Sequence, residues 1–317
     1  MKKIFKTNLI SEVASSDKLE KAFAVVCKKR KKEGDHSDIW FLRRRWKEEK
    51  RRIIKELLIG KYQMEPVHCY KVKDGNYITR WSSRDSVVLK AIGEVLYEHA
   101  VAHNKAYHIR GKGGLKKGVK DLIANIKGYK YVIKSDIENF YGSMDHKILL
   151  KKCKEVIKDK KIQSLIYQCM NRLEIRYGEY NLIEKGISRG CPISNILGAI
   201  VLESLDELNY RDTYYVRYMD DWVYLTKTRG MLRKIVKKMH VMVRKLKFRV
   251  AVDKTYIGKI SRGFEYLGYR FTGSGIQGLA PKTMTKFKER VTTLYEQGAS
   301  AHRIGCYVRR WLGWVTL

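Results

Sequence analysis

Two aspartates stand side by side in Tyr218-Met219-Asp220-Asp221, between the runs Tyr214-Tyr215-Val216-Arg217 and Trp222-Val223-Tyr224-Leu225. β-Branched and aromatic runs on either side of a short acidic break read as a β-hairpin with adjacent carboxylates at its tip. Neighbouring like charges repel, and a fold that keeps them together does so most readily around a cation. Magnesium and a phosphate-bearing substrate are the chemistry such a pair would serve. Aspartate is also common in solvated turns, so the pair alone leaves both readings open.

A third carboxylate sharpens the pattern. Tyr129 to Ile137 reads as a strand that ends on Asp136, followed by Glu138-Asn139-Phe140-Tyr141-Gly142-Ser143 and a helix opened by Asp145. If this strand neighbours the hairpin in one sheet, Asp136, Asp220 and Asp221 converge on one edge. Carboxylates so placed would hold two Mg²⁺ ions about 3.5–4 Å apart for in-line phosphoryl transfer.

The elements that must position these groups follow from periodicity. Asp38 to Ile59 is expected to be one helix, with Ile39, Leu42, Trp46, Ile53 and Leu57 on one face and a crowd of Arg and Lys on the others. Gly60 is its stop. Tyr62 to Thr79 is strand-like, with Gly75 marking a hairpin, and Ser86 to Ala102 reads as a helix. Tyr107 to Lys117 carries three glycines among cationic side chains and leads into a helix. Such a loop can cradle phosphate, although it lacks the P-loop spacing. Ser194 to Leu208 is a long apolar helix, Met231 to Leu246 a basic amphipathic one, and Phe248 to Val252 a strand. Phe264 to Phe271 reads as a strand kinked at Gly268. Two basic helices follow, with Met284, Phe287, Val291 and Leu294, then Ile304, Val308, Trp311 and Leu312, as their core faces. This order predicts an α+β fold, a sheet packed by helices.

Bulk composition names the substrate class. Across 317 residues, 67 Lys+Arg against 33 Asp+Glu leave a formal charge of +34, which calls for a polyanion. The basic residues are spread over the whole chain rather than gathered beside one amphipathic anchor, which favours nucleic acid over a membrane surface. No apolar run approaches the ~18 residues of a membrane span, and no signal-peptide core is expected at the N-terminus. The apolar fraction of 44% supports a sizeable core. Six dispersed cysteines without a C-x-x-C pair argue against a zinc ribbon or a disulfide scaffold, and for reduced thiols.

With these residues in order, the sequence resembles a reverse transcriptase of the bacterial group II intron and retron branch. Asp136-Ile137-Glu138-Asn139-Phe140-Tyr141 with Asp145-His146 resembles the first catalytic motif, and Tyr218-Met219-Asp220-Asp221 the second. Gly186-Ile187-Ser188-Arg189-Gly190-Cys191-Pro192-Ile193-Ser194 resembles the motif opening the helix beneath the incoming nucleotide. Val252-Asp253-Lys254-Thr255 resembles the Lys-Thr segment after the hairpin, and Phe264 to Gly268 the primer grip. The helix to Gly60-Lys61-Tyr62, with Arg80 and Arg84-Asp85, resembles bacterial fingers.

The resemblance implies a right-hand polymerase: N-terminal extension and fingers over 1–128, an antiparallel palm over 129–262, and primer grip with a small helical thumb over 263–317. It implies that Asp136, Asp220 and Asp221 hold two Mg²⁺ ions, for which Mn²⁺ can substitute. Tyr141 would be the aromatic gate that rejects a 2′-hydroxyl. Ile137, Arg189 and the pairs Arg110 with Lys112, or Arg80 with Arg84, would contact the dNTP. Phe264, Leu267, Gly268 and Lys254 would serve primer and template, and Lys254 could also protonate the pyrophosphate. RNA template, DNA primer and dNTPs are the implied partners, with a dedicated non-coding RNA and an accessory anti-phage defence protein in a bacterial cytoplasm, and no membrane. A maturase DNA-binding extension, an endonuclease and an RNase H domain are not expected at this length. Two positions depart from the family pattern. Arg189 stands where many relatives have Gln, and Asn195 where they have Pro. The competing reading is a non-catalytic RNA-binding protein of the same ancestry.

Overall fold

The computed structural model describes residues 8–71, 77–99, 104–208 and 210–317. The chain divides into two compact units. One comprises Met1–His103, Glu138–Ser204 and Val243–Phe248; the other comprises Asn104–Ile137, Leu205–Met242 and Arg249–Leu317. The described strands are β1 (Val67–Lys71), β2 (Tyr77–Arg80), β3 (Tyr131–Ser135), β4 (Leu173–Arg176), β5 (Glu179–Leu182), β6 (Thr213–Tyr218), β7 (Asp221–Thr226), β8 (Tyr256–Lys259), β9 (Phe264–Tyr266), β10 (Tyr269–Thr272) and β11 (Gly275–Leu279).

In the first unit the sheet order is β2-β1-β4-β5, antiparallel except where β1 runs parallel to β4. The helix Ser83–His99 is its spine, with Val87, Val88, Ala91, Ile92 and Val95 fully buried, and it packs on the helix Ser16–Lys29. It begins earlier than the expected Ser86 because Ser82 caps it: the Ser82 hydroxyl accepts from the Asp85 amide at 3.0 Å and donates to the Asp85 carboxylate at 2.9 Å. The expected helix Asp38–Ile59 is two helices, Asp38–Arg44 and Trp46–Ile59. Arg45 leaves the helical basin at φ −106°, ψ 18°, and Trp46 stacks on Phe23 at 4.0 Å with its indole N–H on Glu20. Tertiary packing of one tryptophan thus breaks a run that local pattern would continue. Gly60 ends the second helix at φ +74°, with Lys61 N–H on the Glu56 carbonyl and Gly60 N–H on that of Leu57, a Schellman closure. Gly75 and Ala102, expected as hairpin tip and helix end, lie outside the described residues.

In the second unit the order β6-β7-β3-β8 is antiparallel throughout. Val132, Val216, Val223 and Leu225 from its strands meet Val119 and Leu122 of the helix Gly114–Asn125 in one core. Phe264, Tyr266, Tyr269 and Phe271, from the small sheet β11-β10-β9, complete that core.

Two expected strands differ here. Phe248 to Val252 forms only an isolated bridge, Ile137 with Val250; a short 3₁₀ turn over Val252–Lys254 follows, and the strand comes later as β8. Phe264 to Phe271 is a hairpin rather than one kinked strand. Leu267 (φ +47°) and Gly268 (φ +85°) are both left-handed, the requirement of a two-residue turn matched to strand twist. The two closing helices are Pro281–Glu296 and Ala301–Val315. Phe287 stacks on Trp311 at 3.9 Å, but Leu294 is the buried member of the pair and Leu312 is exposed. Two short helices against a small sheet cannot bury every expected apolar position.

Candidate active site

Register brings the carboxylates together. Ser135 pairs with Trp222 across β3 and β7, so Asp136, one residue beyond, lies opposite Asp221. Tyr218 pairs with Asp221 across the hairpin, leaving Met219 and Asp220 as its two-residue turn. Asp136, Asp220 and Asp221 therefore share one end of the central antiparallel sheet.

The turn carries strain and a brace. Met219 sits at φ +57°, a conformation that costs a side-chain-bearing residue about 1–2 kcal/mol. Arg217, fully buried on β6, donates from Nη1 to the Met219 carbonyl at 2.8 Å. The same guanidinium is bound by the buried Asp206 at 2.6 and 2.5 Å, and Tyr215 donates to Asp206 at 2.6 Å. Tyr224 donates to the Leu205 carbonyl at 2.6 Å. A satisfied ionic cluster thus supports the turn from below.

Electrostatics at the edge favour a cation. Burial, then repulsion from Asp136, pushes the Asp220 carboxyl up to about 6. Burial pushes Asp221 up to about 7 against the attraction of Lys134. Lys134 Nζ lies 3.3 Å from Asp221 Oδ1, and Lys254 Nζ lies 3.0 Å from Asp136 Oδ2, which raises the Lys254 ammonium above its ordinary value. Asp136 Oδ1 is buried and accepts no hydrogen bond, and the buried Asp221 Oδ1 is approached by the Lys134 ammonium without a well-aligned hydrogen bond. Buried carboxylate oxygens short of donors fit a hard divalent cation. Among the described residues, no three carboxylate, imidazole or thiolate groups close a metal shell by themselves. Mg²⁺ ordinarily takes one or two carboxylates and leaves its other positions to water and substrate phosphates, so this donor set suits it.

A cleft of about 660 Å³ opens beside the carboxylates, lined by Lys134, Lys254, Arg270, Lys282 and Lys286 among others. Its far wall is the Leu267–Gly268 turn. A Cβ on Gly268 would come within 3.0 Å of the Trp314 ring and 3.1 Å of Thr283 Oγ1, so glycine is needed there for space as well as conformation. Phe264 is buried and stacked on Phe271, and it too contributes to the lining of the cleft. Ile137 is buried at the bridge to Val250. In the same unit Gly111, Gly113 and Gly114 are all left-handed, Lys112 donates to Asn104 at 3.0 Å, and Arg110 is exposed.

The remaining expected residues belong to the first unit. Tyr141 follows a left-handed Asn139 (φ +44°); its carbonyl accepts from Ile187 N–H and its hydroxyl donates to Asn195, each at 2.8 Å. Arg84 is engaged by Glu49 at 3.1 Å and Glu56 at 2.8 Å and covers the Tyr62 ring. Arg80 is held by Glu33 at 2.6 Å and Ser37 at 3.1 Å. Arg189 is exposed, and its carbonyl accepts from Thr79 at 3.1 Å.

Sequence reasoning missed Arg217, Asp206 and Lys134. A lone arginine inside an otherwise apolar strand was the available signal, because a buried cation needs a buried partner. Lys134 stands two residues before Asp136 and so on the same face of β3.

Comparison with known proteins gives these features their class. The family described as reverse transcriptase (RNA-dependent DNA polymerase) matches residues 76–271, well over half of the chain. The chain belongs to the reverse transcriptase family. It is similar to Protein YkfC of Escherichia coli (strain K12), 23% identical over 263 residues that cover 68% of this chain and 69% of that protein. This agrees with the bacterial branch expected from the motifs. Among solved structures it resembles apo telomerase from Candida tropicalis, with a TM-score of 0.53 at 13% identity over 74% of this chain and 53% of that one. It also resembles telomerase from Candida albicans in complex with a TWJ fragment of telomeric RNA, with a TM-score of 0.53 at 12% identity over 81% and 54%. The chain spans about half the length of these telomerases. At such identities the likeness is one of fold, and the fold is the α+β right-hand polymerase expected from the sequence.

Proposed function

We propose that this chain is an RNA-directed DNA polymerase that extends a primer with dNTPs, using Asp136, Asp220 and Asp221 to hold divalent cations. The observation that carries the reading is the gathering of these carboxylates at one sheet edge, with Asp136 Oδ1 buried and without a donor. Bound Mg²⁺ would activate the attacking oxygen and neutralise the leaving phosphates. Lys254, already aimed at Asp136, stands ready as a cationic neighbour and proton donor for departing pyrophosphate. The Leu267–Gly268 turn serves the primer, Arg110 and Lys112 with their glycine loop serve the triphosphate, and Tyr141 is the gate against the 2′-hydroxyl. The net charge of +34 supports RNA and DNA as partners.

The test is primer extension on an RNA template with Mg²⁺ and dNTPs. Wild type should incorporate nucleotide and Asp220→Ala should not; equal incorporation by the two defeats the reading. For the setting, we propose a dedicated non-coding RNA template in a bacterial anti-phage system within the cytoplasm. Sequencing of nucleic acid that co-purifies from cells would identify template and product, and random cellular RNA would refute it.

A second reading, a non-catalytic RNA-binding protein, draws on the Lys254–Asp136 and Lys134–Asp221 contacts, which offset two carboxylates without a metal. Full cellular activity of an Asp220→Ala, Asp221→Ala double variant would favour it.

A further inference from the structure

Tyr141 is held through its backbone, its ring and its hydroxyl. Its carbonyl is fixed by Ile187 N–H at 2.8 Å, its ring lies against Phe140 at 5.1 Å, and its hydroxyl donates to Asn195 Oδ1 at 2.8 Å. The backbone beneath it has little room to shift. Gly186 approaches so closely that a Cβ there would lie 2.7 Å from the Gly142 carbonyl oxygen, and a Cβ on Gly198 would meet the Phe140 ring at 2.9 Å. What the backbone leaves free is rotation about the side-chain bonds of Tyr141. Asn195, the second residue of the helix Ser194–Asp206, is a hydrogen-bond acceptor that restrains it. A proline at this position would offer no side-chain acceptor.

We infer that Asn195 is a specificity-determining residue that fixes the Tyr141 ring and so sharpens selection of deoxyribonucleoside over ribonucleoside triphosphates. The inference rests on the gate role proposed above for Tyr141. A gate discriminates by steric clash, and a clash is only as strong as the resistance of the group that makes it. A ring free to swing would yield to the extra hydroxyl. Tyr141 and Asn195 are both partly buried, so solvent competes only weakly for the bond.

The experiment measures the dATP-to-ATP selectivity of wild type, Asn195→Ala, Tyr141→Phe, their double variant, Asn195→Asp and Tyr141→Ala. Selectivity is read from single-nucleotide incorporation and, independently, from equilibrium binding of the two nucleotides. Loss of one hydrogen bond should lower selectivity by about fivefold in Asn195→Ala and in Tyr141→Phe. The double variant should be no less selective than either single one. Asn195→Asp keeps the acceptor oxygen; its added charge should weaken both nucleotides alike and leave the ratio unchanged. Tyr141→Phe removes only the hydroxyl, so it reads the bond even if Asn195→Ala misfolds. An unchanged ratio in both Asn195→Ala and Tyr141→Phe, alongside collapse in Tyr141→Ala, overturns the role of Asn195 and leaves the gate standing. An unchanged ratio in Tyr141→Ala removes the gate, and the inference with it.

Discussion

Arg217 donates to the Met219 carbonyl at 2.8 Å while bound on its other side to Asp206, so the strained acidic turn rests on a fully buried ion pair. Removing the cation strands a carboxylate in the core. Arg217→Met should cost about 3–5 kcal/mol, read as a lower urea midpoint at pH 7.5. Adding Asp206→Leu should recover much of that loss, because an apolar pair of similar size carries no uncompensated charge. No recovery in the double variant would show that the pair does more than neutralise itself.

The carboxylate edge should trade stability for function. Asp220 and Asp221 titrate near 6 and 7 in the folded protein, above the ordinary carboxylate value near 4. Between pH ~4 and ~7 the folded state binds more protons than the unfolded one, so stability falls as pH rises through this window. In EDTA, the melting temperature should therefore decline between about pH 5 and pH 7.5. Asp221→Asn should flatten the decline and stabilise the metal-free protein at pH 8 by roughly 1–3 kcal/mol, while abolishing primer extension. A melting temperature that climbs across this window in the wild type, yet not in Asp221→Asn, would contradict the sign.

Gly186 is left-handed at φ +81° and lies against the Gly142 backbone. Alanine there should cost upwards of about 2 kcal/mol, since it combines a disfavoured conformation with a contact that only backbone movement can relieve. Gly190, also left-handed but with open space around its Cβ position, provides the comparison. Its alanine variant should lose only the conformational part, about 1 kcal/mol. Differential scanning calorimetry of the pair checks the ordering.

Much of this was legible in the sequence, for a physical reason. The β6–β7 hairpin and the end of β3 are specified locally, by continuous β-branched and aromatic runs on either side of a short acidic turn. Their register, and hence the meeting of Asp136 with Asp221, follows once the strands pair. Legibility failed where distant residues decide. Trp46 breaks a helix because Phe23, far away in sequence, offers a stacking surface. Leu267 takes a left-handed conformation that its side chain disfavours, and only the pairing of β9 with β10 makes the turn visible. The hairpin β4–β5 turns through Tyr177 and Gly178, both at positive φ, a turn whose flanking strands are too short and too polar to announce themselves. Arg217 gives no sign of its buried partner in the sequence beyond its place in an otherwise apolar strand, because Asp206 reaches it only once the fold has formed.

Affinity for RNA should fall steeply with salt. With about six phosphates contacted, binding should weaken by roughly 10³-fold between about 50 and 200 mM salt. Filter binding or fluorescence anisotropy of a labelled RNA across this range checks it. A flat response would mean that the basic surface is not where RNA lies.

The absence of a side chain at Gly268 has a mechanical consequence. Trp314 lies over the space a Cβ would fill, and Tyr269, the next residue, donates to the Val315 carbonyl at 3.0 Å. The Leu267–Gly268 turn and the Ala301–Val315 helix are thus clasped like a hinge pin in its knuckle. A displacement of the helix is handed directly to the turn that forms the wall of the cleft, with no slack between them to absorb the stroke.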